Sequence, residues 1–446
     1  MGTHRAPGAQ HPRRRQRLVM TVVTAVLATL VGTVTVPGAR ATSAGNPAGE
    51  FVPLSPERIL DTRGPIGGHQ GPLAGGATVN LKVLDPPSHS VPADGVLAVA
   101  INITVTNATA NGYVSAWPTG ASRPVASNVN YVAGQSVANL AVVGVGDGGQ
   151  VSFFSLAGSI DLVVDIVGWY ASDTSTMPAG QGSRLTAVAP QRILDTRSGV
   201  GSTGGAVGPG GVVDLQVAGA FKDRNGQPVN DPSAVVINLT GDAPTAPTYV
   251  TAYPGGPDGR PVASNLNLRA GQTRPNLVMV KVAADGKIRL FNASGSVQLL
   301  ADVVGFYRSG ADPATFAGRV VPLKTPYRAL DTRDDGVRIG SLQEDTWDFQ
   351  PFVDSLQTGV SPAGPISGVI MNLTATSVTA ASYLTAYPSD VARPVASNLN
   401  VDVGDTVPNL TVLPLSTAAP KNRVNVFFLR GFTHYLGDVS AVILND

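Results

Sequence analysis

The chain has 446 residues, 31 Lys+Arg against 30 Asp+Glu, 43% hydrophobic residues and no cysteine. The missing thiols exclude disulfides, zinc–thiolate centres and thiol catalysis, so every folded unit must rest on an apolar core. With 51 Gly, 35 Pro and only 14% charged residues, the composition favours many short strands joined by tight turns.

The first predicted element is a leader. Arg13, Arg14, Arg15 and Arg17 precede a mostly apolar run, Leu18 to Val36, and Ala39-Arg40-Ala41 places small residues at a cleavage site. This order predicts a secretory signal peptide over 1–41, hence a secreted, extracellular or cell-surface protein with no membrane contact after cleavage. The rival is a retained anchor, but threonines thin the apolar run and the small-residue site follows at once. Six of the basic residues lie in 1–41, which has no Asp or Glu, leaving 25 basic against 30 acidic residues. A mildly acidic remainder without a basic run argues against a nucleic-acid partner.

Three copies of one pattern follow. RILDTR begins at Arg58 and at Arg192, and RALDTR at Arg328. Each is followed by Asn-x-Thr in an apolar run (Asn102, Asn238, Asn372), then YVSAWP, YVTAYP or YLTAYP, then RPVASN, then an Asn-Leu pair at Asn139, Asn276 or Asn409. Each copy closes on an apolar strand with one acid: Asp165, Asp302 or Asp438. A period of about 135 residues is too long for a solenoid and fits one domain per copy. The expected domains are 51–171, 184–308 and 319–446, joined by short Ser-, Pro- and Gly-rich linkers at Ser172–Ser183 and Ser309–Gly318.

In the first copy the strand-like runs lie near Phe51–Leu60, Thr78–Leu84, Leu97–Thr106, Gly112–Trp117, Val125–Val132, Ser136–Val145, Val151–Ser155 and Asp161–Tyr170. No window carries a helical period. The predicted fold is all-β: three tandem antiparallel β-sandwich domains, with a closed barrel as second choice.

The combination of LDTR, N-[IL]-T, Y-[VL]-[ST]-A-[WY]-P, RPVASN and a closing strand with one Asp resembles a repeat of secreted actinobacterial proteins. In that family the repeat often sits beside peptidoglycan hydrolases, peptidases or other exported catalytic domains. Here it covers nearly the whole chain after the leader, so the resemblance implies envelope residence without implying hydrolysis. The third copy departs most, with Leu436-Gly437-Asp438-Val439 in place of the more apolar endings of the others.

The repeated polar residues admit two readings. Asp165 lies on a strand whose two faces are both apolar, so its carboxylate needs a partner, and an arginine fork suits it. An arginine of the LDTR segment is expected to meet it, with Asp61 capping the following turn. The expected network is Arg58, Asp61, Arg63 and Asp165; Arg192, Asp195, Arg197 and Asp302; and Arg328, Asp331, Arg333 and Asp438. The functional alternative is a glycosidase-type carboxylate pair, Asp61 with Asp165. Asn128, Asn265 and Asn398, which end RPVASN, are expected to bond backbone at an edge or bulge of a strand starting at Val125, making the hexapeptide a joint. Asn102, Asn238 and Asn372 are read as framework amides. The histidines after the leader, His69, His89 and His434, stand at unrelated places, so neither a repeated Ser-His-Asp set nor a His-based metal site can be assembled. Calcium on Asp and Asn oxygens stays open, no metal is assigned, and no cofactor is expected.

The candidate ligand-binding residues are Tyr113, Ser115 and Trp117, Tyr249, Thr251 and Tyr253, and Tyr383, Thr385 and Tyr387, each set on one strand face. Exposed, they would offer aromatic planes and hydroxyls to a sugar; the opposing reading buries the rings in the core. The expected function is non-enzymatic binding of wall or extracellular polysaccharide through repeated weak sites. The alternatives are a ligand-free spacer or surface-coat protein and a cell-wall hydrolase.

Overall fold

The structure, a computed structural model, describes residues 15–17, 45–86, 88, 90–255, 259–334, 336–350, 352 and 365–446. The expected leader lies outside these residues except for Arg15–Arg17, a short strand parallel to Asp345–Trp347. His89 also lies outside them. Among the described residues no helix is long and apolar enough to cross a membrane.

Every copy is a sandwich of two four-stranded antiparallel sheets, the outer sheet of the third extended by the parallel Arg15–Arg17 strand, and none closes into a barrel. In the first copy the inner sheet runs Phe51–Asp61, Ser159–Ala171, Val96–Thr106, Val137–Gly144 in spatial order. The outer sheet runs Thr78–Lys82, Gln150–Ser155, Gly112–Pro118, Val129–Tyr131. The second and third copies repeat this order. Ser183 pairs with Phe51, which merges the inner sheets of the first two copies into one.

Each sandwich has its own core. In the first copy, Val99, Ile101 and Ile103 of the inner sheet meet Val114, Ala116 and Phe153 of the outer one. The alternate inner-sheet residues are apolar too, because they face a fourth core that the copies share. Leu140, Leu277 and Leu410 meet there, with Tyr170 and Tyr307 bonded hydroxyl to hydroxyl at 2.6 Å across the ring of Phe51. The three expected domains are therefore more than neighbours on short linkers: burial on both sheet faces binds the copies into one body.

One local expectation also changes. RPVASN does not run as a strand from Val125; it is an irregular arm, and the strand begins at Val129. The closing strand carries a bulge between Ile166 and Gly168, which turns Trp169 into the first copy's own core and off the face of Asp165. Gly168 permits it: a Cβ there would stand 2.2 Å from the Phe51 ring.

A polar ring crosses the shared core. Asn139, Asn276 and Asn409 are each 1% exposed and fully bonded. Each donates to its own RPVASN asparagine carbonyl, at 2.6, 2.6 and 2.8 Å. Each also donates to an Asn-x-Thr amide of a neighbouring copy: Asn139 to Asn372 at 2.9 Å, Asn276 to Asn102 at 3.2 Å, Asn409 to Asn238 at 2.8 Å. Their carbonyls accept from Leu410 N, Leu140 N and Leu277 N. In turn Asn102, Asn238 and Asn372 donate to Ser264 O, Ser397 O and Ser127 O, within the RPVASN arms of the next copies. The contacts run from copy one to two, two to three and three back to one, a pseudo-threefold closure.

A buried group stranded without its partner costs about 1–3 kcal/mol. Asn276→Ala strands three groups, Leu140 N, Asn102 Oδ1 and Asn265 O, which belong to two copies. Calorimetry is expected to show one transition for the whole protein that moves down as a unit in this variant. A second copy melting alone, ahead of two unchanged transitions, would contradict the shared core.

Candidate functional site

The LDTR arginines and the closing-strand acids meet. Arg58 grips Asp165 through Nε at 2.9 Å and Nη2 at 3.3 Å, and reaches Asp61 through Nη1 at 3.2 Å. Arg63 closes on Asp61 from the other side at 2.8 and 2.7 Å, while its backbone N–H caps the same carboxylate at 3.1 Å. The second copy repeats the set with Arg192, Asp302, Asp195 and Arg197, and the third with Arg328, Asp438, Asp331 and Arg333. The hydrogen bond from Arg63 holds the Asp61 carboxyl below its usual range. Burial pushes Asp165 upward, against the pull of Arg58. Asp165 is 1% exposed and shares Arg58 with Asp61, so the pair has no open carboxylates facing each other across a cleft.

The bulge and the shared core place Asp165 between copies: it pairs in register with Asn102, whose amide binds Ser264 O of the second copy. The Arg58 fork thus fixes the strand on which the joint is built.

The aromatic strands are not open platforms. Val114 and Ala116 do enter the core, as do Val250 and Ala252, and Leu384 and Ala386. The opposite face, however, is roofed by the RPVASN arm of the same copy. Ser115, Thr251 and Thr385 donate to Ala126 O, Ala263 O and Ala396 O, each at 2.6 Å. Asn128, Asn265 and Asn398 accept from Ala116 N, Ala252 N and Ala386 N at 2.7, 2.7 and 2.6 Å, supplying the ladder bonds that a regular strand would have made. Trp117, Tyr253 and Tyr387 are consequently 7%, 4% and 2% exposed, and Trp117 Nε1 donates to Ala121 O at 3.1 Å. Of the nine candidate residues only Tyr113, Tyr249 and Tyr383 keep partial exposure. Beside them, Arg123, Arg260 and Arg393 lie 3.7, 3.8 and 3.7 Å over the rings of Phe154, Phe291 and Phe427, stacks that the sequence reading missed.

Tyr249 and Tyr383 open onto clefts between copies, and Tyr113 lines a separate, larger mouth. The first, of about 350 Å³, has Arg58, Arg63, Thr104, Thr106 and Ser136 on the wall of copy one. Tyr249, Arg260, Val262, Ser264 and Asn267 of copy two form the facing wall, with Tyr249 37% and Val262 80% exposed. The second cleft, of about 220 Å³, sets Arg192, Arg197, Thr240 and Asp242 against Tyr383, Val395 and Ser397. The volume of the first is within the usual range of small-molecule sites, about 300–1,000 Å³. A larger mouth of about 620 Å³ opens where loops of all three copies converge, but its Arg274 is already bonded to Asp405 and Asn400 O. Copies one and three carry Val137 and Val407 at that position, so the mouth does not repeat.

No family model and no curated protein matches the chain. Among solved structures, the N-terminal CBM22-1-CBM22-2 tandem domain of Paenibacillus barcinonensis Xyn10C aligns at 13% identity over 60% of this chain and 100% of that one, with a TM-score of 0.17. A triple jelly roll structure from the turret of an archaeal virus aligns at 8% identity over 92% and 99%, TM-score 0.15. The Sulfolobus turreted icosahedral virus structure aligns at 8% over 91% and 99%, TM-score 0.17. Superpositions this loose carry no argument about function.

Two substitutions separate framework from site. Asp165→Asn is expected to cost about 3–5 kcal/mol by stranding Arg58, and Trp117→Ala a similar amount by emptying a packed position. Denaturant titration checks both, and a neutral result for either would return that residue to the list of ligand-binding candidates.

Proposed function

We propose that the chain is a secreted, non-enzymatic protein of the cell envelope or matrix that binds wall or extracellular polysaccharide through the clefts between its copies. The observation that carries this reading is the repeated cleft, in which a partly exposed tyrosine and valine face a wall of hydroxyls and arginines. Aromatic planes beside hydrogen-bond donors suit the apolar faces and hydroxyl rims of sugars. This replaces the aromatic–hydroxyl–aromatic strand as the binding surface, because the RPVASN arm covers that strand. The buried, arginine-bridged Asp61–Asp165 pair supports a binder over a hydrolase. Sites set around one rigid body suit the bridging of separate strands in a network, where each weak contact raises the effective concentration for the next.

A ligand-free spacer or coat element is the second reading, favoured by the cyclic joint that makes the three copies one rigid unit.

Tyr113, Tyr249 and Tyr383 changed together to Ala should leave a folded protein, each site costing about 1 kcal/mol or less. Retention on cell-wall polysaccharide in a sedimentation assay is expected to fall below that of any single variant. A folded triple variant that co-sediments like the parent would leave the spacer reading in place.

A further inference from the structure

At equivalent positions the two clefts differ in charge once, Thr106 against Asp242, and that difference identifies a ligand class. In the second copy, Asp242 ends the Asn-x-Thr strand and enters the cleft. Its carboxylate accepts from Arg197 Nη1 at 3.3 Å and from the Thr273 hydroxyl at 2.5 Å. The register equivalent in the first copy is Thr106, opposite Asp161 as Asp242 is opposite Gln298. There the flanking groups persist: Arg63 stands for Arg197 and Ser136 for Thr273. Thr106 and Ser136 bond each other at 2.7 Å. Arg63 is 47% exposed and uses Nε and Nη2 on Asp61, while its Nη1 makes no hydrogen bond among the described residues. Among the described residues the cleft lining holds Arg58, Arg63 and Arg260 and no carboxylate. Asp61 and Asp165 lie behind it, held by these arginines, and Asp161 is turned to Thr62 and Asn107.

The second copy therefore carries, in its own chain, the group that the first copy is built to receive from outside. Resting on the polysaccharide reading, we propose that the cleft between the first and second copies binds a carboxylate-bearing sugar unit, of uronic acid type. Arg63 Nη1 and the Thr106 and Ser136 hydroxyls take the carboxylate, and Tyr249 and Val262 lie against the ring. Asp242 closes the second cleft to the same unit by like-charge repulsion and by occupying Arg197.

The test uses the full chain and isothermal titration with a galacturonate oligomer, a neutral glucose oligomer and polyglycerol phosphate. Thr106→Asp installs the second copy's arrangement in the first, and Asp242→Thr does the reverse; each residue already occurs at the equivalent position in another copy. The galacturonate oligomer should bind the parent and weaken as salt rises. It should lose at least tenfold in affinity in Thr106→Asp, and Asp242→Thr should gain a second site. Neutral oligomer bound equally by parent and Thr106→Asp overturns the acidic assignment while polysaccharide binding stands. Binding of polyglycerol phosphate alone, lost in Thr106→Asp, overturns the carboxylate in favour of a phosphodiester. Failure of all three probes and of wall polysaccharide to bind the parent removes the polysaccharide reading itself.

Discussion

The architecture depends on three asparagine side chains inside an apolar core. Asn139, Asn276 and Asn409 are buried where any unmet polar atom is costly, and each satisfies one amide hydrogen within its own copy and the other, together with its carbonyl, on a neighbouring copy. An apolar core alone would hold three sandwiches together without fixing their rotation. A fully bonded amide ring tolerates one arrangement, because a shift of one residue along any strand would leave several groups unpaired.

From this ring the roles of the repeated motifs follow. The RPVASN arm sits where four demands meet. Its asparagine amide replaces missing ladder bonds, its backbone roofs the aromatic strand, its serine carbonyl receives the neighbour's Asn-x-Thr amide, and its valine and arginine wall the cleft. A segment under so many constraints has little room to vary, which explains one hexapeptide written three times. The LDTR arginine serves the same joint from the other side by clamping the acid next to Asn102. Framework and cleft are thus built from the same residues. The arginines that hold the core acids, Arg58 and Arg192, also line the clefts between copies.

Much of the sandwich was legible because its causes are local. Alternation, Gly-rich turns and the repeat itself located the strands, and a carboxylate within a two-sided apolar strand implied an arginine partner. What escaped lay between copies. Asn102 looks the same in sequence whether it bonds its own backbone or another copy's, and nothing within one repeat points to Ser264. The strand of Tyr113 to Trp117 alternates as an exposed strand would, but its roof comes from residues about ten positions later, an irregular arm that no periodicity reveals. Strict alternation from Asp165 would put Trp169 on the face of the acid, and one bulge at Gly168 reverses it. The paired apolar faces of the inner strands were visible, and they were the sign of a second, shared core. The contrast of Thr106 with Asp242 was likewise present in the aligned copies and gained meaning only once Arg63 and Arg197 stood beside them.

The central claim is that the three copies form one cooperative body closed by the amide ring. Native-state hydrogen exchange of the Leu140, Leu277 and Leu410 amides tests it most directly, since each donates to an asparagine of another copy. All three should exchange only through global unfolding, with one common protection factor that falls together when any one of the ring asparagines is replaced. Three distinct protection factors, each following the stability of its own sandwich, would contradict it.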